Sequence, residues 1–228
     1  MSKSAFVKPT VSGMIFDLDG TLIASLEDLA DAVNVALAEH SFPTHPLEPY
    51  KYFVGDGMNN LVLRACPEGC PDSVIASVFD RVKEEYGKNW ARKTRLYDGI
   101  RPMLERLSEK NIPLAVLTNK PHEFTREVVE HFLPGVSFTV AQGNRGDGKA
   151  KPDPSLALEI AARMGLEPGK IGFMGDSRTD MDTAVNAKML PIGVLWGFRP
   201  EKELLEHGAQ VIIAHPDELF EKVELKRG

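Results

Sequence analysis

VSGMIFDLDGTL, residues 11–22, decides how the rest of the chain is read. Its apolar run Met14-Ile15-Phe16 is not interrupted by polar residues, as expected of a strand buried on both faces. The run leads into Asp17-Leu18-Asp19-Gly20-Thr21, so a strand delivers two carboxylates at its end and a glycine lets the backbone turn. While the chain stays extended, Asp17 and Asp19 point to one side and Leu18 to the other. Two carboxylates this close repel each other, and both stay ionised only beside a cation. On these residues alone two readings stand: a cation-assisted site, or an Asp-rich turn of the kind that follows many strands.

The chain has 228 residues, 43% of them hydrophobic and 26% charged, which suits one large or two small globular domains. A net charge of −6, with no Lys/Arg run, argues against a nucleic-acid partner. If the substrate is an anion, its positive charge must be supplied locally. The opening residues MSKSAFVKPT hold no apolar leader core, and no apolar run reaches membrane-spanning length. The expectation is a cytoplasmic protein with no membrane partner. Cys66 and Cys70, in CPEGC, lack the second Cys or His pair of a zinc site and read as two reduced thiols in a loop.

After the first strand, Ser25-Leu-Glu-Asp28 predicts a helix N-cap with an acid three residues on. Leu26, Leu29, Ala30, Val33 and Leu37 then give one apolar helical face. Phe42 to Pro49 carries three prolines and predicts a loop. Gly55-Asp56-Gly57 starts a short helix, and Asp72 caps another through Tyr86. From Tyr97 onward helices alternate with apolar strands: Pro113–Leu117, Val136–Val140, Ile171–Met174, 191–195 and 210–214. A glycine-rich loop, Gly143 to Lys151, follows the second of these. It lacks Walker spacing.

This alternation implies a parallel sheet with helices on both faces. The first strand belongs to that sheet, yet roughly ninety residues separate Leu22 from Ile112, more than one crossover helix needs. The fold class is therefore α/β, a Rossmann-like parallel sheet in residues 1–22 and 93–228, with a small all-helical cap inserted at 23–92.

Three apolar strands end in polar groups of one kind: Asp17 and Asp19, Thr118 and Asn119, Asp176 and Asp180. In a parallel sheet these ends share one edge, where ligands of open α/β sheets bind. Carboxylates for a hard cation, a hydroxyl and amide for an oxyanion, and a lysine (Lys151 or Lys149) from the loop thereby converge.

The segments Asp17-Leu-Asp-Gly-Thr-Leu22, Thr118-Asn119, Lys151-Pro152 and Gly175-Asp176-Ser-Arg-Thr-Asp180 resemble, in order, the four motifs of the haloacid dehalogenase superfamily. The helical insertion resembles the alpha-helical cap of one branch. Within that branch Phe53-Val-Gly-Asp-Gly-Met58, Arg64-Ala65, Asp182-Thr-Ala184 and Gly193-Val-Leu-Trp-Gly197 look most like phosphoglycolate phosphatases. The resemblance implies a phosphatase acting on a small phosphorylated metabolite, 2-phosphoglycolate first, as monomer or homodimer. Asp17 would be the nucleophile, forming an aspartyl phosphate, and Asp19 the acid and then base. Mg2+ would be held by Asp17, Asp19 (through its carbonyl) and Asp176, with Asp180 orienting that shell or the lysine. Thr118 and Asn119 would bind phosphoryl oxygen, and Lys151, which directly precedes a proline, would neutralise charge. Gly57, in a loop reaching the site, and Arg64, meeting a substrate carboxylate, are the cap candidates, with a surface role also open for Arg64. Lys120, adjacent to the site in sequence, reads as readily as a solvated or phosphate-steering lysine as it does as a catalytic one. One departure is Ala24, where many relatives carry an acid; it touches cap docking or substrate preference and not the four motifs. Pyrophosphatase, sugar-phosphate phosphatase, phosphomutase and a non-catalytic phosphate-binding module remain the alternatives.

Overall fold

Met14, Phe16 and Leu18 enter one hydrophobic cluster, while Ile15 enters another on the opposite face of the sheet. The strand they form, β1 (Gly13–Phe16), is buried at every position, which explains its unbroken apolar text. In a computed structural model that describes residues 8–227, β1 lies at the centre of a six-stranded sheet. The leader reading of residues 1–7 therefore falls outside the described residues.

The other strands are β2 (Leu114–Pro121), β3 (Val140–Asn144), β4 (Ile171–Gly175), β5 (Leu190–Val194) and β6 (Val211–Ile213). Their spatial order is 3-2-1-4-5-6, all parallel. The chain builds outward from β1 first on one side and then on the other, which opens a crevice at the carboxyl end of β1. Helices cover both faces, so this is an α/β fold of three layers.

Residues 26–89 contribute no strand to that sheet. They form α1 (Leu26–Glu39), α2 (Leu47–Phe53), α3 (Met58–Ala65) and α4 (Asp72–Asn89), packed around a hydrophobic cluster of their own. Phe124 and Phe198 join that cluster from the sheet side. The two crossings into and out of the helical block pair with each other, Ile23–Ala24 antiparallel to Arg95–Leu96. Among the described residues no helix is long and apolar enough to cross a membrane.

Four local expectations shift. The strand expected at Val136–Val140 lies four residues later, at Val140–Asn144, and takes in the glycine assigned to a loop. Gly143 is there because its neighbours leave no room for a Cβ, with Lys120 O at 2.7 Å and His122 Cα at 2.6 Å from where one would stand. Helix α2 begins inside the proline-rich stretch, since a proline in a first turn forfeits no helical hydrogen bond. Ser25 precedes α1 without capping it, and the Asp28 carboxylate accepts instead from Lys93 N, Thr94 N and Thr94 Oγ1 at 2.8–3.1 Å, tying entry helix to exit linker. Asp72 is the first residue of α4, after Pro71, and makes no side-chain cap. Cys66 and Cys70 are free thiols, the former pushed up by burial and by its neighbour Cys70.

Candidate active site

Asp17 follows β1 directly, its amide donating to Met174 O at 2.9 Å, so the sheet itself fixes the carboxylate. Lys151 Nζ lies 2.7 Å from Asp17 Oδ1 and 2.6 Å from Asp180 Oδ1. All three side chains are nine-tenths buried or more. The lysine loop is clamped from β2, because Asn119 Oδ1 accepts from Lys151 N (2.8 Å) and Asn119 Nδ2 donates to Lys151 O (3.0 Å). Burial alone would lower the Lys151 pKa, but the two carboxylates outweigh it and hold the ammonium above its usual value. Lys149 is elsewhere, half exposed beside Glu159 at 3.1 Å.

Helix α5 (Arg178–Asn186) begins with a capping box: the Ser177 side chain accepts from the Asp180 amide, and Asp180 Oδ2 accepts from Ser177 N (3.0 Å) and Ser177 Oγ (2.7 Å). With Oδ1 on Lys151, both Asp180 oxygens are committed to protein donors. Asp176 follows β4 and is 1% exposed. Its Oδ2 accepts from Phe198 N at 2.7 Å, and its Oδ1 has only a long 3.3 Å contact from Thr21 Oγ1. Gly20 (φ +89°) and Gly197 both press on this carboxylate, and a Cβ at either would run into it.

Carboxylate oxygens of Asp17, Asp176 and Asp180 come within 4.8 Å of one another. Three carboxylates face one lysine, and among the described residues the further cation acting on them is Arg199, whose pull on Asp176 is outweighed by burial and the neighbouring carboxylates. Burial therefore lifts the Asp17 carboxyl to about 7, against the pull of Lys151 and aided by Asp180. Burial, Asp180 and Asp17 likewise hold Asp176 well above the carboxylate range. A divalent ion with a taste for oxygen fits this deficit. The oxygens left for it are Asp17 Oδ2, Asp176 Oδ1 and the Asp19 carbonyl, none strongly engaged among the described residues. Asp180, expected to orient that shell or the lysine, has one oxygen on Lys151 and the other on Ser177.

Asp19 turns away from Asp17's partners. Its Oδ1 accepts from Ser25 Oγ (2.5 Å) and from Lys120 Nζ (3.0 Å), its Oδ2 from Lys120 at 3.1 Å. Lys120 is neither solvated nor free, since its side chain is 2% exposed and also donates to Tyr86 Oη at 2.7 Å. Strand β2 runs through Lys120 to Pro121 with an irregular register after Leu117. The place of Lys120 at the strand end was readable from Thr118-Asn119-Lys120; its Tyr86 partner, 34 residues away, was not.

A cavity of about 40 Å3 lies between Asp17, Asp19, Thr118, Asn119 and Lys120 on the sheet side and Leu29, Val54, Met58 and Leu61 on the helical side. Gly55 and Gly57 close it. Gly57 (φ +89°) comes so near β2 that a Cβ there would stand 3.4 Å from Asn119 O. The 54–57 loop is fastened to the sheet side by three bonds: Asn119 Nδ2 to Gly55 O (3.1 Å), Arg199 Nη2 to Val54 O (3.0 Å) and Thr179 Oγ1 to Asp56 Oδ1 (2.9 Å). Arg64 does not reach the cavity. It is ion-paired to Asp56 and donates to Phe53 O at 3.0 Å, so its expected contact with a substrate carboxylate is replaced by a structural one. Nothing in the flanking text marked Asp56 and Arg199 as fasteners; the glycines around Asp56 were the only hint.

Residues 14–194 match the model of a family described as haloacid dehalogenase-like hydrolase. A phosphoglycolate phosphatase of Mannheimia succiniciproducens is 33% identical over 213 residues, covering 90% of this chain and 92% of that protein. One from Haemophilus influenzae is 32% identical with the same coverage. Among solved structures, a protein of Lactobacillus delbrueckii subsp. bulgaricus, provisionally assigned as a phosphoglycolate phosphatase, superposes with a TM-score of 0.86. It is 30% identical, over 94% of this chain and 98% of that one.

Proposed function

The chain belongs to the haloacid dehalogenase-like hydrolase family, and within it we propose a Mg2+-dependent phosphatase that cleaves a small phosphomonoester, 2-phosphoglycolate first, through an aspartyl phosphate. That it is a phosphoric monoester hydrolase follows from the family and from the phosphoglycolate phosphatases it matches over nine-tenths of its length. The observation that carries the finer reading is the buried Asp17–Lys151–Asp180 chain beside Asp176, opening on a cavity that Asp19 also lines.

Asp17 is the nucleophile. Its carboxylate oxygen bonds phosphorus as the ester P–O bond breaks, and the leaving oxygen takes the bond pair and a proton from Asp19. In the second half Asp19 removes a proton from water, whose oxygen bonds phosphorus and releases Asp17 and inorganic phosphate. In this reading Thr118 and the backbone of Asn119, which line the cavity, bind phosphoryl oxygens. Lys151 keeps Asp17 oriented through the cycle, itself set by Asn119 and Asp180. Asp17, Asp176 and the Asp19 carbonyl would hold Mg2+, which would supply positive charge to the transferring group.

A phosphate monoester brings about two negative charges. With Asp17, Asp19 and Asp176 the load is about five charges, of which Lys151, Lys120 and a divalent ion would offset four. Residues 23–92 act as a cap over a core of 1–22 and 93–228. The cavity of about 40 Å3 suits a small ligand, and Val54, Gly55 and Gly57 of the 54–57 loop line its helical side.

Purified chain with Mg2+ should release inorganic phosphate from 2-phosphoglycolate faster than from pyrophosphate or glucose 6-phosphate. No release from any of them would sink the phosphatase reading, and an isomerised sugar phosphate in place of inorganic phosphate would point to a phosphomutase.

Metal binding has its own signature. The Asp17 carboxyl is raised in the folded chain from 3.8 to about 7. Its contribution to stability is therefore full at acid pH and lost as pH rises through that window. Mg2+ replaces the proton, so its stabilisation is expected to be larger at about pH 8 than at about pH 5. At a hundredfold excess over its Kd it contributes about 2.7 kcal/mol, or roughly 5–10 °C in Tm. Thermal melts with and without Mg2+ at both pH values check this; equal shifts at both would contradict it.

A further inference from the structure

We propose that Tyr86, acting through Lys120, is a positioning residue that holds the Asp19 carboxylate for proton transfer. This rests on Asp19 exchanging the proton in the reaction above. Lys120 Nζ contacts both Asp19 oxygens, at 3.0 and 3.1 Å, and Tyr86 Oη at 2.7 Å, and it stands 4.6 Å from the centroid of the Tyr86 ring. The lysine side chain is 2% exposed and Tyr86 fully buried, so water cannot take the place of either partner. An ammonium in such a place swings toward the strongest anion within reach. When phosphate binds beside Asp17, that anion is the phosphoryl group, unless something else holds the lysine where it is.

Tyr86 supplies the hold. Its ring is fixed edge-on against Phe124, with centroids 5.2 Å apart, and burial pushes its phenol up to about 12, so it remains a neutral acceptor. Lys120 is thus kept on Asp19 by a partner in α4 that does not itself line the cavity. Ser25 Oγ takes Asp19 Oδ1 as well, which leaves Oδ2, with one contact at 3.1 Å, as the oxygen that exchanges the proton. A structural role alone would not need this arrangement. Buried ion pairs are poor sources of stability, and two apolar side chains would fill the same space.

The test compares two small phosphates that differ in their need for an acid. 2-Phosphoglycolate expels an alkoxide and depends on a proton; acetyl phosphate expels acetate, which does not. In the full chain with Mg2+, Tyr86→Phe keeps the ring and removes the hydroxyl. The ratio of kcat/KM for 2-phosphoglycolate to that for acetyl phosphate is expected to fall about tenfold, part of what a general acid provides. Lys120→Met should lower the same ratio further, and it serves as the second variant should Tyr86→Phe not fold. Equal losses on both substrates, or no loss on either, would overturn the positioning role while leaving the phosphatase reading intact. A wild-type chain inactive on both would overturn the two together.

Discussion

Asp17→Asn is expected to abolish phosphate release, with a loss on the order of 10^5 in kcat, while the chain remains folded. The amide cannot form an acyl phosphate, and no other carboxylate is placed to substitute. Asp180 has both oxygens bound to Lys151 and Ser177, and Asp19 is turned toward Ser25 and Lys120. The fold should survive because Asp17 is a buried group whose charge is costly, its carboxyl raised to about 7 by burial. Replacing it by a neutral isostere relieves that cost and leaves an amide oxygen for Lys151. At about pH 8 the variant should therefore be at least as stable as the parent without Mg2+, and should gain less from Mg2+. Mass spectrometry of acid-quenched turnover mixtures should find a phosphorylated chain in the parent and none in the variant. Residual turnover above about one part in 10^3 would exclude attack by Asp17.

Much of this was written locally. β1 is legible because a central strand buried on both faces needs an unbroken apolar run, and Met14-Ile15-Phe16 provides it. The convergence of Asp17, Thr118 and Asp176 followed from one rule, that parallel strands end on one edge. What stayed hidden was set by partners distant in the chain. Asp28 looked like one half of a capping box, yet it serves backbone amides some 65 positions away. Gly143 looked like loop, yet Lys120, His122 and Thr125 crowd it into a strand where no other residue fits. Lys120 could be placed at the end of β2 from the sequence, but its state, buried and paired, depends on Tyr86 in α4. Arg64 had a composition that suggested a ligand, and only the position of Asp56 showed where its charge is used. Local text thus named the polar groups that meet at this sheet edge, and tertiary contacts decided their orientation.

That division predicts where a single substitution should hurt both chemistry and stability. Lys151→Met removes the one cation between Asp17 and Asp180 without opening a large cavity, since the two side chains are similar in length. The ammonium is 3% exposed, so solvent does not screen what it does. Breaking a buried pair from one side leaves an uncompensated charge and costs about 3–5 kcal/mol; here two carboxylates are left. With the lysine gone, the folded-state pKa of Asp17 rises further above its unfolded value. Its contribution is then present at acid pH and lost as pH increases, so the deficit should be large at about pH 8 and should shrink toward about pH 5. Mg2+ should restore part of the stability, because it supplies charge to the same cluster, but little of the activity. Turnover should stay down by about 10^3, since nothing else orients Asp17. Lys149→Met is the control: its ammonium is half exposed and pairs with Glu159, and neither urea unfolding nor phosphate release should change. Urea titrations of both variants at the two pH values, with phosphate-release assays alongside, separate the outcomes. A Lys151→Met chain as stable as its parent at about pH 8 would mean that the three carboxylates do not share one charge deficit. Turnover within about tenfold of the parent would mean that Lys151 is not what orients Asp17.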